Sequence, residues 1–328
     1  MKPLVSVIIP NFNEVKFIGK CIDSVLNQTY ENIEILIVDD GSKDESLSII
    51  KKYADENENV SFWTQKRQNA AVARNKGMEN AKGDYYFFLD SDDYVYPDSI
   101  EKMVRAYEEN DADFVIGNMH EMDEEDNVTK DLKFFDQTQV IDDYKKLIAL
   151  VPAPSNKFFK AKLVKDNNVT FGNVRIGQDL NFFLKYILNC KKIVTMEDYI
   201  YNWRDVSTSM SRSVNFKIFD ITESFKDIKN YYEEHNGSQD YQNYIRMIEY
   251  HNYYRQMEKQ RNFPTAALRK LVINYFDYNI KALGDVRQCS NFSEFEDAYK
   301  KCSLKLSLKA LYASGLFKKF YERKNLGK

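Results

Sequence analysis

The sequence predicts an α/β protein with a mostly parallel central sheet flanked by helices, followed by a helical C-terminal region. Over about the first hundred residues, short apolar runs of strand length alternate with stretches in which apolar residues recur at helical spacing. After about residue 216 the strand-like runs disappear, and helical periodicity continues to the end of the printed sequence. Strands that alternate with helices are typical of a parallel sheet covered on both faces.

Four apolar runs are predicted as buried strands, at residues 5–9, 33–38, 60–64 and 85–89. A helix is predicted between the first two strands, from the spacing of Phe17, Ile18, Ile22, Val25 and Leu26. A second helix is predicted before the third strand, from Leu47, Ile50 and Tyr53. In sheets of this kind ligands bind where the strands end at their carboxyl side, so the residues after each strand are the first candidates for a site.

The middle of the chain, from residue 108 to 143, is rich in acidic residues. Its densest cluster contains Glu121, Asp123, Glu124, Glu125 and Asp126. We interpret this cluster as a solvated hairpin or a mobile loop without a catalytic role. For the chain as a whole we expect a catalytic domain over residues 1–214 and a helical C-terminal domain or extension over residues 215–328.

The composition indicates a water-soluble protein. A sequence of 328 residues can form a core without disulfides or metals. Runs without a charged residue, such as 147–156, are too short to cross a bilayer, and no apolar signal core precedes the first strand. The four cysteines lie far apart and are expected to be reduced and mostly buried. We therefore expect a cytoplasmic protein.

The C-terminal part is basic although the rest is acidic. Residues 1–214 carry a net charge of −9 and residues 215–328 one of +6. Near the end, Leu304, Leu308, Leu311, Tyr312, Leu316 and Phe320 share one helical face, with Lys305, Lys309, Lys319 and Arg323 around them. A basic amphipathic helix can lie in a membrane interface, which would place the protein at the inner face of the plasma membrane. The same face can instead pack on the preceding helices or form a homodimer seam, and the sequence leaves these alternatives open.

Polar residues follow the first two predicted strands. The first is followed by Pro-Asn-Phe-Asn-Glu at 10–14, without the glycine-rich turn of dinucleotide-binding proteins, and no phosphate-binding Gly-Lys-Ser/Thr loop occurs. The second ends in Asp-Asp-Gly-Ser at 39–42. A carboxylate at a strand end can accept the imide N–H of uracil. Asp-Gly also forms turns, and Ser42 with Glu45 fits a helix capping box, so Ser42 can cap the helix while Asp40 faces a ligand.

The fourth predicted strand ends in Asp-Ser-Asp-Asp at 90–93. Three carboxylates so close together repel one another unless a cation or strong donors compensate. Oxygen ligands suit Mn²⁺ or Mg²⁺, which also take substrate phosphate oxygens and water. The alternative is an acidic turn that leads into a helix whose first turn holds Pro97 and Asp98.

Taken in order, these segments resemble glycosyltransferase family 2, whose members are inverting enzymes of the GT-A fold. The matching segments are Pro-Asn-Phe-Asn-Glu at 10–14, Val-Asp-Asp-Gly-Ser at 38–42, Ala-Arg-Asn-Lys-Gly at 73–77, Phe-Leu-Asp-Ser-Asp-Asp at 88–93 and Gly-Gln-Asp-Leu-Asn-Phe at 177–182. Their order and spacing are hard to produce by chance, and the resemblance spans about residues 4–210.

The resemblance implies roles on the donor side of the site. Eight residues would bind the nucleotide sugar: Pro10, Phe12, Glu14, Asp39, Asp40, Arg74, Asp90 and Ser91. Asp40 would read the uracil, and Arg74 would line the nucleotide site. Asp90 and Asp92 match the Asp-x-Asp pair that would hold Mn²⁺ or Mg²⁺, with Asp92 as the more direct ligand.

The resemblance also implies the catalytic base. Gly-Gln-Asp-Leu-Asn-Phe resembles the Glu-Asp-x-x-Phe segment, in which the aspartate is the base, so Asp179 takes this role. An acidic residue in the first turn of the predicted helix 178–189 also favours the helix dipole, which is the alternative interpretation. Residues expected on the acceptor or phosphate side are Asn156, Lys157, Gln178, Trp203, Arg204 and Ser209. Two positions depart from the pattern: Gln178 replaces a glutamate, and Asn69 stands where a glycine commonly precedes the Ala-Arg-Asn segment.

The implied function is that of a hexosyl- or N-acetylhexosaminyl-transferase. It would move a sugar from a UDP-sugar to a hydroxyl of a glycan, lipid-linked glycan or glycoprotein acceptor, in bacterial cell-surface polysaccharide or glycan biosynthesis. No nucleic acid partner is expected. The alternative is a catalytically impaired nucleotide-sugar-binding subunit or scaffold of a glycosyltransferase complex. Intact Asp90, Asp92 and Asp179 argue against a scaffold, whereas Gln178 keeps it open.

Overall fold

The computed structural model describes residues 2–141, 152–206, 216–235, 237–258, 263 and 265–286. The strands within these residues are β1 (Val5–Asn11), β2 (Ile33–Asp39), β3 (Val60–Thr64), β4 (Tyr85–Phe88), β5 (Tyr94–Val95), β6 (Phe114–Met122), β7 (Val128–Leu132), β8 (Gln139–Ile141), β9 (Lys157–Lys160) and β10 (Ile193–Arg204). The helices are α1 (Ile18–Leu26), α2 (Ser46–Glu56), α3 (Ala70–Asn80), α4 (Ser99–Asn110), α5 (Ala161–Asp166), α6 (Gln178–Ile187), α7 (Ile221–Glu234), α8 (Gln239–Glu258) and α9 (Ala266–Ala282).

The described strands form one sheet, in the order β3-β2-β1-β4-β9-β6-β10-β5, with β7 paired to β6 and β8 to β10. The four strands predicted from the sequence, β1 to β4, pair in parallel as expected. Beyond β4 the sheet is mixed, because β9 runs antiparallel to both β4 and β6. The carboxyl ends of β1, β2 and β4 therefore meet at one edge of the sheet.

Both faces of the sheet are covered, which explains the apolar runs of its central strands. All seven residues of β1 and all four of β4 are buried. Val7 and Ile9 face a core shared with α1 and α4, whereas Ile8 faces a core shared with α3 and α6. Helix α3 lies so close to β1 that a Cβ atom at Gly77 would clash with the side chain of Ile8. This close approach places α3 beside the edge where the strands end.

The predicted capping box at Ser42 is wrong. Helix α2 begins at Ser46, with Glu45 at its N-cap and no capping hydrogen bond from that side chain. The Ser42 hydroxyl instead donates to Asp39 and accepts from the Asn11 side chain at 3.2 Å. Ser42 therefore closes the turn after β2 and does not start a helix. Its hydroxyl is engaged by side chains at the ends of β1 and β2, and α2 begins only at Ser46.

The acidic cluster forms a hairpin turn, as one of the two predicted alternatives had it. Strands β6 and β7 pair antiparallel, and the turn between them holds Asp123, Glu124 and Asp126. Lys16 and Lys20 from the start of the chain pair with Glu124 and Asp126. The turn is thereby attached to the region around α1.

The helical C-terminal segment (residues 216–286) packs directly on the α/β part. A 3₁₀ turn at Phe216–Asp220 leads into α7. Phe225 and Ile228 of α7 are buried in the same hydrophobic cluster as Phe182 and Tyr186 of α6. The helical nature of this segment agrees with the prediction. The boundary at 214/215 lies outside the described residues and remains a prediction.

Other predictions concern thiols and membranes. Cys21 and Cys190 are buried free thiols, as expected. Among the residues that the structure describes, no helix is long and apolar enough to span a membrane. The basic amphipathic stretch at 303–328 lies outside the described residues, so its membrane, packing and homodimer alternatives remain predictions.

Candidate active site

The predicted site residues meet at the edge where β1, β2 and β4 end. Asn11 at the end of β1 is in register with Asp39 at the end of β2. Arg74 on α3 joins Asp90, which follows β4, to Asp179 at the start of α6. Segments far apart in sequence therefore converge on one cleft, as expected for parallel strands that end together.

Asp39 lies behind the cleft and shapes it. Its side chain accepts hydrogen bonds from Asn11 Nδ2 at 2.8 Å and from the backbone N–H groups of Gly41 and Ser42 at 3.2 and 3.0 Å. Gly41 adopts a left-handed conformation with φ 78°, and a Cβ atom there would lie 3.1 Å from the backbone of the 65–67 segment. With 1% of its surface exposed and donors on both oxygens, Asp39 holds the turn that presents Asp40.

Asp40 and Phe12 offer groups that suit a nucleobase. One oxygen of Asp40 accepts from Gln65 Nε2 and from the Gln68 backbone N–H, both at 2.8 Å. Within the described residues no hydrogen bond reaches its second oxygen. The half-buried Phe12 ring lies under the guanidinium of Arg67, 3.8 Å from ring centroid to Cζ. Beside them Pro10 is buried at the end of β1.

The three carboxylates after β4 have three different environments. Asp90 accepts from Arg74 at 2.6 Å. Asp93 points inward, where it accepts from the Tyr201 hydroxyl and the Arg204 backbone N–H, each at 2.7 Å. Asp92 stays half-buried, and Ser91 beside it is buried. Sequence analysis missed the partners of Asp93, because they lie on β10, more than a hundred residues away.

The electrostatics of Asp92 fit a divalent cation. Burial and the Asp90 charge raise the pKa of Asp92 to about 6, and burial together with Asp92 raises the pKa of Glu14 to about 7. These raised values follow first from burial and then from the neighbouring carboxylates. Within the described residues no three acidic, His or Cys side chains could enclose a metal by themselves. Mg²⁺ is commonly held by one or two carboxylates and substrate phosphates, so Asp92 and Asp90 fit a cation that binds together with a diphosphate.

These raised pKa values predict how the stability of the metal-free protein depends on pH. Glu14 and Asp92 keep protons in the folded state that the unfolded chain releases above its ordinary values of 4.5 and 3.8. Their contribution to folding is therefore fully present at low pH and is lost as the pH rises toward about 7. We expect the free energy of unfolding of Asp92→Asn to fall less steeply between pH 5 and 8 than that of the wild type. The measurement is urea unfolding in the presence of a chelator. The control is Asp136→Asn, an exposed residue on the surface. Equal pH dependence of wild type, variant and control would contradict the prediction.

Arg74 is a buried bridge between the two halves of the site. Its side chain is 5% exposed, and its guanidinium donates to Asp90 at 2.6 Å and to Asp179 at 2.9 Å. Burial alone would lower the pKa of Arg74, but the two carboxylates raise it, so the guanidinium stays charged. Its Nε has no hydrogen-bond partner among the described residues. Arg74 therefore fixes the relative position of the candidate metal ligand and the candidate base, a role that the sequence did not indicate.

Asp179 has the environment of a carboxylate base. It follows Gly177, whose left-handed φ of 83° turns the chain into α6, and its side chain is 35% exposed to the cleft. Partial burial raises the pKa of Asp179 above its ordinary value, although Arg74 and Lys157 lower it. A raised pKa makes a carboxylate a stronger proton acceptor. Gln178 has a buried Oε1 without a hydrogen-bond partner among the described residues.

Asn156 and Lys157 lie behind Asp179 rather than on the surface. Lys157 is 1% exposed and donates to the Ala153 carbonyl and the Asn156 side chain at 2.7 and 2.9 Å. Asn156 donates to the Gly117 carbonyl of β6 at 2.6 Å. The effect of Lys157 on the base is electrostatic, because its charge lowers the Asp179 pKa. Direct contact with an acceptor remains a prediction, and Ser209 lies outside the described residues.

Arg204 is a buried residue that supports the Asp92 backbone. It is 2% exposed, with Nε 2.9 Å from the Asp92 carbonyl and a guanidinium nitrogen 2.6 Å from Asp126. Its guanidinium also lies over the ring of Phe17 at 4.6 Å. The acidic turn, for which we predicted no catalytic role, thus holds Arg204 in place behind Asp92. Trp203 beside it is half-buried.

Comparison with known proteins identifies the family. The sequence matches the family described as Glycosyl transferase family 2 over residues 6–167. It is 34% identical over 226 residues to the glycosyltransferase GlyG of Streptococcus pneumoniae serotype 4, covering 65% of this chain and 74% of that protein. The chain belongs to glycosyltransferase family 2. The predicted family and enzyme class are thereby confirmed.

A second relative and a solved structure are also similar to this chain. A poly(ribitol-phosphate) beta-glucosyltransferase of Bacillus spizizenii is 33% identical over 202 residues, which cover 60% of this chain and 31% of that protein. The crystal structure of S. aureus TarS in complex with UDP-GlcNAc superimposes with a TM-score of 0.60 at 20% identity, over 91% of this chain and 92% of that chain. The predicted GT-A type α/β fold with a helical C-terminal region is confirmed.

Proposed function

We propose that this glycosyltransferase is a metal-dependent inverting enzyme that moves a hexose or N-acetylhexosamine from a UDP-sugar to a hydroxyl of a glycan, lipid-linked glycan or glycoprotein. Its biosynthetic context is bacterial cell-surface polysaccharide or glycan assembly. The observation that carries the proposal is the Arg74 bridge. One guanidinium connects a candidate metal-binding carboxylate, Asp90, with a candidate base, Asp179.

The nucleobase side supports UDP. The second oxygen of Asp40 can accept the N–H of uracil, and the Phe12 ring offers an aromatic face for stacking. A relative of the same fold, S. aureus TarS, has been crystallised with UDP-GlcNAc. We therefore assign UDP as the nucleotide, with the diphosphate directed toward Asp90 and Asp92.

The reaction needs a base for the acceptor and charge compensation for the leaving diphosphate. Bound Mn²⁺ or Mg²⁺ would neutralise charge on the diphosphate as the bond from sugar to phosphate breaks. Asp179 accepts the proton of the attacking hydroxyl, and Arg74 keeps this carboxylate oriented. Base catalysis of this kind contributes about 10²–10⁴-fold. A single displacement inverts the anomeric configuration, so an α-linked donor would give a β-linked product.

The experiment that tests the function measures release of the nucleoside diphosphate, UDP or GDP, from UDP-glucose, UDP-galactose and their N-acetyl forms, in Mn²⁺ or Mg²⁺, with and without candidate acceptors. GDP-mannose serves as the nucleotide control. We expect one UDP-sugar to be turned over and GDP-mannose to be inert. Turnover of GDP-mannose alone would contradict the nucleotide assignment.

The assignment of Asp40 gives a separate prediction. Asp40→Asn replaces an acceptor with an amide that can turn its N–H₂ toward the uracil N–H, so UDP affinity should fall about tenfold or more. Isothermal titration calorimetry measures this loss. Asp44→Asn, four residues along on the same turn, is the matched control, because Asp44 bonds only to backbone N–H groups in the described structure. Equal affinities of both variants would contradict the role of Asp40.

A second candidate is a nucleotide-sugar-binding subunit without catalysis. Gln178 stands where the family pattern has a glutamate, and among the described residues its buried Oε1 has no hydrogen-bond partner, which favours this candidate. It predicts that the wild-type chain binds UDP tightly but releases no UDP from any of the four donors with any acceptor.

A further inference from the structure

The loop that leads to the candidate base is attached to the helical C-terminal segment. The loop, residues 172–177, ends at Gly177, whose carbonyl accepts from the Ser224 hydroxyl of α7 at 2.9 Å. Arg175 in the same loop donates to both oxygens of Asp220, at 2.5 and 2.8 Å. Two independent contacts thus connect the start of α7 with the loop before Asp179.

A buried amide, that of Asn181, joins the loop, α6 and α7. Asn181 is fully buried and lies two residues after Asp179. Its Oδ1 accepts from the Gly172 backbone N–H at 3.1 Å, and its Nδ2 donates to the Ser224 carbonyl at 3.2 Å and to Asp227 at 2.8 Å. The first residue of the loop therefore depends on a side chain that α7 holds in place.

Charge fixes the α7 partner of Asn181. Lys185, one turn further along α6, is 5% exposed and lies 2.6 Å from Asp227. A buried ammonium needs a counter-charge, since breaking such a pair by removing one partner is strongly destabilising. Asp227, whose side chain is 47% exposed, is therefore held between Lys185 and Asn181.

The loop is also confined on its other sides. A Cβ atom at Gly177 would lie 2.6 Å from the Ile221 side chain of α7, so helix and loop are in direct contact. Immediately before the loop, the Asn75 side chain of α3 donates to and accepts from the Phe171 backbone, each at 2.9 Å. We call the loop at residues 172–177 the base loop. It lies between α3, which also carries Arg74, and α7.

We propose that α7 is a positioning element of the active site, and that Asn181 is the residue through which it sets the position of the Asp179 carboxylate. This inference rests on the proposed function, because it takes Asp179 as the base. A misplacement of about 1 Å from a change outside the chemistry can lower a rate by about 10²-fold. The helical segment would then determine turnover and not only stability.

The test is Asn181→Asp. The substitution keeps the size of the side chain and the acceptor for Gly172 N–H, but it removes the donor to Ser224 and places a second carboxylate against Asp227. With the UDP-sugar that the wild type turns over fastest, we expect kcat for UDP release to fall about tenfold or more while the donor KM changes less than about twofold. Amide exchange of the peptide 172–177 should rise, which hydrogen–deuterium exchange detects without any activity.

The matched control is Asn189→Asp, the same substitution in the turn that follows α6. Asn189 also contacts α7, through the Tyr231 hydroxyl at 3.1 Å, but it makes no contact with the base loop in the described structure. It should leave kcat and the exchange of the loop unchanged. Adding Asp227→Asn to Asn181→Asp restores the hydrogen bond with its direction reversed, because the new amide at 227 can donate to the new carboxylate at 181. That carboxylate, four residues from Lys185, also replaces the lost counter-charge. Part of the lost kcat should therefore return in the double variant.

The outcomes separate this inference from the function on which it rests. A wild-type kcat for Asn181→Asp, an equal loss of kcat in Asn189→Asp, or a double variant without recovery would overturn the positioning role. Full turnover by an Asp179→Asn variant would instead refute Asp179 as the base. A reduced kcat confined to Asn181→Asp, with faster exchange of the loop and recovery in the double variant, supports the inference.

Discussion

Replacing Asp179 by asparagine is expected to lower turnover by at least about 10²-fold while the affinity for the UDP-sugar stays close to wild type. Asparagine keeps the shape of the side chain and an oxygen that can accept from Arg74, now 2.9 Å away. It removes the group that accepts the proton of the acceptor hydroxyl. The measurements are kcat from UDP release and the dissociation constant of UDP from calorimetry, for variant and wild type under the same metal concentration.

The control for Asp179 is Asp166→Asn, on the neighbouring helix α5. Asp166 is exposed and pairs only with Lys162 among the described residues, and exposed pairs contribute little to stability. We expect this control to retain wild-type turnover. Because burial raises the pKa of Asp179, the wild-type rate should also increase with pH along an acidic limb that the Asp179→Asn variant lacks. A variant that loses UDP affinity instead of turnover would place Asp179 in the nucleotide site.

Replacing Asp92 by alanine is expected to abolish transfer and to weaken UDP binding only when a divalent cation is present. Of the three carboxylates after β4, Asp90 is engaged by Arg74 and Asp93 by Tyr201, which leaves Asp92 facing the cleft. Its pKa of about 6 indicates that a cation would find it ionised at neutral pH. The measurement is the dissociation constant of UDP in Mn²⁺ and in excess chelator, together with UDP release in both conditions.

Two controls accompany this prediction. Wild-type protein in chelator should show the same weakened UDP affinity as Asp92→Ala in Mn²⁺. Asp136→Ala, at a side chain that is 83% exposed, should behave as wild type in both conditions. Full wild-type activity in excess chelator would show that the reaction needs no divalent cation.

The sequence by itself determined the parallel half of the sheet and the location of the site. The apolar runs at β1, β2 and β4 are local signals, because strands covered on both faces must be apolar along their whole length. The run at 60–64, also predicted as a buried strand, forms the edge strand β3, in which only Val60 is buried. The carboxylates that follow these strands could be placed at one edge for the same reason, since the ends of parallel strands coincide. The base helix was located through the resemblance to the family pattern; the structure begins it at the predicted residue 178 but ends it at Ile187 rather than at 189.

Only the tertiary structure decided what each of those side chains does. Asp39 and Asp40 are adjacent, yet one holds a turn through buried donors and the other keeps an oxygen available. The sequence suggested a cap at Ser42, because the local spacing fits a capping box. In the structure the Ser42 hydroxyl instead bonds to Asn11 and Asp39, at the ends of two strands. These outcomes depend on donors that folding brings close from distant positions.

The same holds for the charges of the site. Arg74 bridges Asp90 and Asp179, which lie 16 and 105 positions away in the chain, and the acidic turn reaches Asp92 through Arg204. A pKa depends on burial and on charges within a few ångströms, and neither quantity is local in sequence. Residue types and their order were therefore enough to predict the fold and the family, whereas the pairing of each charged group was decided by tertiary packing.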